Sequence, residues 1–262
     1  MDINLKNKNA LVCGASKGIG KAVAMQLAEM GANVTLVART AAKLAEAKNQ
    51  LFDSGLDQKH DYLVADFEDS KDLRKKVLGL VALKPIHILI NNTGGPSPGP
   101  ILDAQEEDFT KALHNHLICS HLLTKLVLKG MRKEKFGRII NIISTSVREP
   151  ILGLGVSNTT RGAMASWAKT LSNELAQDGI TVNNVLPGAT NTERLKTIAQ
   201  GQADKLGISL EETLSRWADA SPMKRIAEPA EIAAAVGFLA SPAASYITGI
   251  SLPVDGGRIK SL

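Results

Sequence analysis

Of the residues that mark specialised chemistry, this chain has few. Its 262 residues include only two cysteines, Cys13 and Cys119, too few for a disulfide framework and without metal-ligand partners. Cys13 ends the apolar run Ala10-Leu11-Val12-Cys13 and reads as a buried free thiol. No apolar segment approaches the roughly 20 residues needed to span a bilayer. The first residues, Met1-Asp2-Ile3-Asn4-Leu5-Lys6, lack the apolar stretch of a signal peptide. No membrane contact and a cytoplasmic location are therefore expected. The net charge of +5 is modest. It comes without zinc spacing, an aromatic-flanked basic stripe or a low-complexity arm, which argues against nucleic acid as a partner. No Pro/Ser-rich linker or internal repeat divides the chain, so a single domain over residues 1–262 is expected.

What is present is an ordinary globular composition, 44% hydrophobic and 22% charged. Short β-branched runs alternate with helical patterns. Strands are expected at 10–13, 33–38, 62–65, 86–91, 138–143, 181–186 and 250–254. Helices are expected around 21–30, 41–53, 70–83, 104–133 and 157–177. Near-continuous apolar strands separated by amphipathic helices imply a parallel sheet covered on both faces, a doubly wound Rossmann-type α/β fold of three layers. One long stretch without a strand, 192–222, carries a helical pattern from Leu206 to Trp217. A segment of that length reads as a lid or substrate loop, in which Trp217 could touch substrate, although its apolar residues could equally pack the surface.

Gly14-Ala15-Ser16-Lys17-Gly18-Ile19-Gly20 follows the first strand and opens the first helix. Glycines there let a pyrophosphate approach the free N–H groups and positive dipole of a helix N-terminus. The second strand ends in Val37-Ala38-Arg39-Thr40. An acidic residue at that tip would bond the ribose 2′-hydroxyl of NAD, whereas arginine accommodates a 2′-phosphate. With Lys17 as a second cation, the reading is NADP(H).

These motifs, with Asp66 after the third strand and Asn91-Asn92-Thr93-Gly94-Gly95 after the fourth, resemble the short-chain dehydrogenase/reductase family. So do Pro187-Gly188 after the sixth strand and the C-terminal Ile247-Thr248-Gly249 and Val254-Asp255-Gly256-Gly257. The resemblance covers nearly the whole chain and is strongest toward 3-oxoacyl carrier-protein reductases. It implies that Asp66 contacts adenine, Asn91 braces the central strands, Gly94 lies along the cofactor and Thr192 faces the nicotinamide carboxamide. The full set expected at the cofactor is Gly14, Ser16, Lys17, Gly18, Ile19, Gly20, Arg39, Thr40, Asp66, Asn92, Gly94, Pro187, Gly188, Thr190 and Thr192. It also implies a homotetramer formed through 104–133, 157–177 and the C-terminal segment. Thr93 stands where the family usually has alanine.

The family's proton relay is Asn, Ser, Tyr and Lys, and here the resemblance breaks. Ser144 fits the serine position, with capping of nearby backbone as its plainer reading. The Tyr-x-x-x-Lys pair falls on Ser157 and Arg161, in a register fixed by Gly162-Ala163 and by Leu171 to Ala176. The asparagine position falls on His116, beside Asn115. The only tyrosines, Tyr62 and Tyr246, do not fit, and no Tyr-x-x-x-Lys occurs anywhere. Ser157 and Arg161, four residues apart, share one helix face. Ser144 and Ser157 could bind a substrate oxygen while Arg161 stabilises developing negative charge. An aliphatic hydroxyl is a far weaker acid than a phenol, and arginine cannot relay a proton. His116, with an ordinary pKa of about 6.5, is the group suited to proton transfer. Losing general acid catalysis costs about 10²–10⁴ in rate. Two functions follow. One is an NADP(H)-dependent reductase of a small-molecule ketone or 3-oxoacyl thioester with an atypical relay, its proton supplied by His116 or water. The other is a non-catalytic NADP(H)-binding subunit or sensor. His114, His116 and His121 read as a polar helix face and not as a metal site.

Overall fold

A computed structural model describes residues 1–53 and 58–261. Among them seven strands form: β1 (Asn9–Cys13), β2 (Asn33–Ala38), β3 (Asp61–Val64), β4 (Ile88–Asn91), β5 (Gly137–Ile142), β6 (Ile180–Pro187) and β7 (Ser251–Val254). They make one sheet in the order β3-β2-β1-β4-β5-β6-β7, with every pairing parallel. The helices are α1 (Gly18–Glu29), α2 (Ala41–Asn49), α3 (Ser70–Leu83), α4 (Glu106–Leu113) and α5 (Cys119–Glu134). Then come α6 (Gly155–Leu175), α7 (Glu193–Leu206), α8 (Leu210–Asp219) and α9 (Pro229–Ala240). Among the described residues no helix is long and apolar enough to cross a membrane.

The strands alternate their side chains between two cores, as a period of two requires. Ala10, Val12, Ile88, Ile90, Ile140 and Val185 pack with α1, α2 and α9 on one face. Leu11, Cys13, Leu89, Ile139 and Val182 pack with α3, α5 and α6 on the other. Both faces being covered, β4 and β5 are buried along their whole length. This is the doubly wound three-layer fold that the strand pattern implies.

One set of polar groups in this interior is paired across strands, whereas the buried hydroxyls of Thr35 on β2 and Thr181 on β6 find no partner among the described residues. Asn91, Asn141, Asn184 and Ser251 lie in register on β4, β5, β6 and β7. The Asn91 amide donates to Asn141 Oδ1 at 2.9 Å, Asn141 donates to Asn184 Oδ1 at 2.9 Å, and Asn184 donates to Ser251 Oγ at 3.1 Å. A slip of one residue in any strand would turn its member of this ladder to the opposite face.

Two helical readings change. The stretch 104–133 is not one α-helix. α4 and α5 are joined by a π-helical turn, His114–Ile118, in which the Ser120 hydroxyl donates to the His116 carbonyl at 2.5 Å. Apolar periodicity runs through such a turn without marking it. The pattern from Leu206 to Trp217 spans a break: Gly207 ends α7 in a left-handed conformation at φ 65°, and the Ser209 hydroxyl caps α8 by accepting from Glu212 N–H at 3.0 Å. Smaller shifts occur at element ends. α1 starts at Gly18 and α2 stops at Asn49, where 21 and 53 were expected.

Asn141→Ala should therefore leave the Asn91 donor and the Asn184 acceptor unpaired in the interior. At about 1–3 kcal/mol for each orphaned group, loss of stability of roughly 2–5 kcal/mol should appear as a lowered urea midpoint. An unchanged midpoint would mean that the ladder does not hold the sheet.

Candidate functional site

In the order β3-β2-β1-β4-β5-β6-β7, chain direction across the sheet reverses between β1 and β4, and in open α/β sheets ligands bind outside the carboxyl ends of the strands at that point. A cavity of about 800 Å³ opens there. Every residue expected at the cofactor or in the relay lines it except Gly20. Gly20 instead permits close packing, since a Cβ there would lie 2.3 Å from the Gly14 carbonyl oxygen. Gly14 has φ 60°, and a Cβ on it would meet the Asn92 carbonyl oxygen at 2.6 Å. The Asn92 amide donates to the carbonyls of Cys13 and Gly14, each at 3.3 Å, so it braces the glycine turn.

A phosphate site follows from how α1 begins. Its N-cap, Lys17, makes no side-chain cap and its first turn contains no acid, so backbone N–H groups at Gly18 and Ile19 have no side chain to satisfy them as they face the cavity. Lys17, Arg39 and Lys43 line the same cavity exposed, and none is ion-paired among the described residues. Gly94 adds no bulk, with open space where a Cβ would stand. These groups fit a dinucleotide that carries a 2′-phosphate.

Toward the other end the altered relay comes together. Ser144, just after β5, accepts from the Ser146 N–H at 3.1 Å. Its capping role is real, and its hydroxyl hydrogen remains free to donate into the cavity. Ser157 and Arg161 lie one turn apart on α6. Arg161 is only 8% exposed and donates from Nη1 to the Ile142 carbonyl at 3.0 Å, next to Ser144. Burial, with Arg194 nearby, pulls its pKa down to about 10, and it stays a cation.

His116 is 3% exposed and its Nδ1 shares a short hydrogen bond with the Thr93 hydroxyl. Burial first, then Arg161, drives its pKa down to about 2, against a smaller upward pull from a hydrogen bond with the Gly94 backbone. The expectation that its ordinary pKa suits proton transfer is thus corrected: the ring is neutral at working pH. The three helix histidines also part company, since His121 packs edge-on against Trp167 at 6.4 Å between ring centroids. Trp217 does not line the cavity.

Three features lay outside the sequence reading. Arg194, on the first turn of α7, lines the cavity and donates from Nη2 to the Pro96 carbonyl. Its signal was its place two residues after Thr192, whose hydroxyl caps α7 by accepting from Leu195 N–H at 3.2 Å. Thr93 is the partner of His116, so two departures from the family pattern are one contact. Asn115 lines the cavity with its Oδ1 buried and unpartnered among the described residues.

Known proteins resemble this chain along nearly its whole length. A family model described as enoyl-(acyl carrier protein) reductase matches residues 14–258. The chain is 34% identical over 255 residues to a 3-oxoacyl-[acyl-carrier-protein] reductase, FabG, of Vibrio cholerae, covering 97% of this chain and 98% of that one. It is 30% identical over 260 residues to the NADPH-dependent reductase BacG of Bacillus subtilis, covering 98% and 100%. Among solved structures, L-sorbose reductase from Gluconobacter frateurii, complexed with NADPH and L-sorbose, superposes with a TM-score of 0.92 at 30% identity over 100% of both chains.

A neutral His116 has a consequence for acid stability. Unfolded, its pKa returns to about 6.5. As pH falls below that value the unfolded chain takes up a proton that the folded chain refuses, so stability present above pH 6.5 is lost by up to about 1.4 kcal/mol per unit. His116→Asn should flatten the fall of the denaturation midpoint between about pH 7 and pH 5. Parallel profiles for wild type and variant would show that the folded ring is protonated.

Proposed function

The chain belongs to the short-chain dehydrogenase/reductase family, and we propose that it is an NADP(H)-dependent reductase of a ketone or 3-oxoacyl thioester working without the family's phenolic acid. The observation that carries this reading is that Ser144, Ser157 and Arg161 share one cavity with an open helix N-terminus and unpaired cations. Relatives named as ketoacyl reductases and a neighbour solved with NADPH support it.

When bound, the nicotinamide supplies hydride. Lys17, Arg39 and Asp66 line the cavity; the two cations would hold the phosphates and Asp66 would take the adenine end. The hydroxyls of Ser144 and Ser157 donate to the substrate carbonyl oxygen. Arg161, desolvated and fixed on Ile142, stabilises the negative charge that develops there. With His116 neutral, the proton comes from water held at the Ser157 hydroxyl. The start of the segment 192–222 lines the cavity with Arg194, Leu195 and Ile198, and in this reading the segment is its lid. Assembly as a tetramer through α4–α5 and α6 is part of the same reading, and Ile118, 51% exposed in the π-turn, is one apolar side chain available to it. A non-catalytic NADP(H)-binding subunit would share the nucleotide site and lack turnover.

The first test is a titration with NADPH and NADH. NADPH should bind more tightly, and Arg39→Ala should weaken it roughly tenfold while leaving NADH nearly unchanged. Equal losses for both cofactors would remove the 2′-phosphate assignment. In the same titration, amide exchange over 192–222 should slow on binding, and unchanged exchange there would remove the lid.

The second test restores the relay. Ser157→Tyr with Arg161→Lys and His116→Asn supplies a phenol and an ammonium one helical turn apart. Reduction of a simple ketone should rise by roughly 10²–10⁴, with NADPH affinity little changed. A folded, NADPH-binding triple variant with no gain would show that the cavity serves another chemistry or none.

A further inference from the structure

The relay region holds more positive charge than carbonyl reduction requires. Arg161, from α6, and Arg194, from the start of α7, converge on Gly95. A Cβ built at Gly95 would lie 3.4 Å from Arg194 Nη2 and 3.9 Å from Arg161 Nη2. Both guanidinium groups therefore border one small space that glycine leaves open. Arg161 is buried, whereas Arg194 reaches the same space from an exposed position on α7. Neither pairs with a carboxylate among the described residues, and the nearest acid in sequence, Glu193, is turned to Lys196 at 3.9 Å. One backbone carbonyl is recorded as acceptor for each, Ile142 for Arg161 and Pro96 for Arg194. A guanidinium has five N–H donors in a planar fork, so most of this donor capacity is unspent.

A buried cation such as Arg161 without a carboxylate partner carries a large desolvation cost, and the neighbouring Arg194 charge adds repulsion to it. An anion between the forks would remove both penalties and take paired charge-assisted hydrogen bonds. Ser144 and Ser157 line the same cavity, and Leu154 and Ile198 give it an apolar wall.

We infer that the substrate is an oxo acid, its carboxylate clamped between Arg161 and Arg194 and its carbonyl at Ser144 and Ser157. This deepens the reductase reading and rests on it for the role of the serines. It replaces a neutral ketone by a substrate that carries its own charge. Arg161 then divides its fork, binding the carboxylate while also stabilising the charge that develops on the adjoining carbonyl oxygen.

The test uses the protein saturated with NADP⁺, in which no reduction can occur, and two probes of nearly the same shape and different charge, benzoylformate and its neutral methyl ester. Calorimetry should find the acid bound roughly 10- to 100-fold more tightly than the ester, the range of a charge-assisted pair. Arg194→Met should cut that preference several-fold, Arg161 keeping the remainder, and leave ester and NADP⁺ affinities within about twofold. Arg194→Lys, which keeps a cation, should retain more of it. Equal affinity for acid and ester in the wild type, or no binding of the acid at millimolar concentration, would overturn the proposal. So would an Arg194→Met protein that loses NADP⁺ as strongly as it loses the acid, because the arginine would then belong to the cofactor's diphosphate. Failure of the reductase reading looks different: the acid preference would stand while NADPH gave no turnover.

Discussion

Arg161 is a full positive charge set at the carboxyl ends of the central strands and shut away from water. One carbonyl, that of Ile142, is recorded as holding it, and no described carboxylate answers it. The effective penalty for such a group is several kcal/mol even after relaxation. Much of the site can be derived from that single constraint. The bond to Ile142 ties α6 to the end of β5, which fixes where Ser157 stands relative to Ser144. The same charge helps to hold His116 neutral, which removes the one side chain that could have offered a proton near neutrality. Arg194 on α7 raises the local charge further, although its position at the loop after β4 is set by Pro96.

The scaffold beneath that charge is tied together by polar groups paired across the central strands. The amide ladder from Asn91 to Ser251 runs across four strands just below the site, and it pins the register that delivers β4 and β5 to the cavity at the right height. On the other side of the switch point, Gly14, Gly20 and Asn92 meet at distances no side chain would allow. These are packing constraints first. They hold the backbone of the first turn rigid, and rigidity there leaves its N–H groups aimed at a ligand instead of at one another.

The fold was legible in the sequence because strand alternation and apolar burial are local signals. Leu11 and Val12 declare opposite faces by adjacency alone, and Gly14 to Gly20 declares a turn by composition. The nucleotide end of the site was legible for the same reason, since Arg39 and the glycine loop act through position on a strand tip and a helix start. The catalytic end was not. A π-turn at His114–Ile118 has no compositional mark. The neutrality of His116 depends on Arg161, far along the chain, and on burial that spacing does not report. Arg194 was passed over because it sits within a polar stretch that reads as surface, and only the approach of α7 to Gly95 brings it to the chemistry.

The departures from the family pattern make most sense as linked pairs. Thr93 in place of alanine gives the His116 Nδ1 a hydrogen-bond partner, so without Thr93 that buried ring nitrogen would lose it. Ser157 in place of tyrosine removes a phenol whose acidity depends on a neighbouring cation, and Arg161 in place of lysine keeps the cation while giving up any means of passing a proton. A group that stays charged at every working pH contributes the same field before, during and after reaction. The altered site has exchanged a movable proton for a permanent charge. Such a charge does little to speed proton delivery. It is well suited to holding one substrate charge in place while a second develops on the neighbouring carbonyl oxygen, a task that a neutral tyrosine could not perform and that a lone lysine would perform with fewer directed bonds.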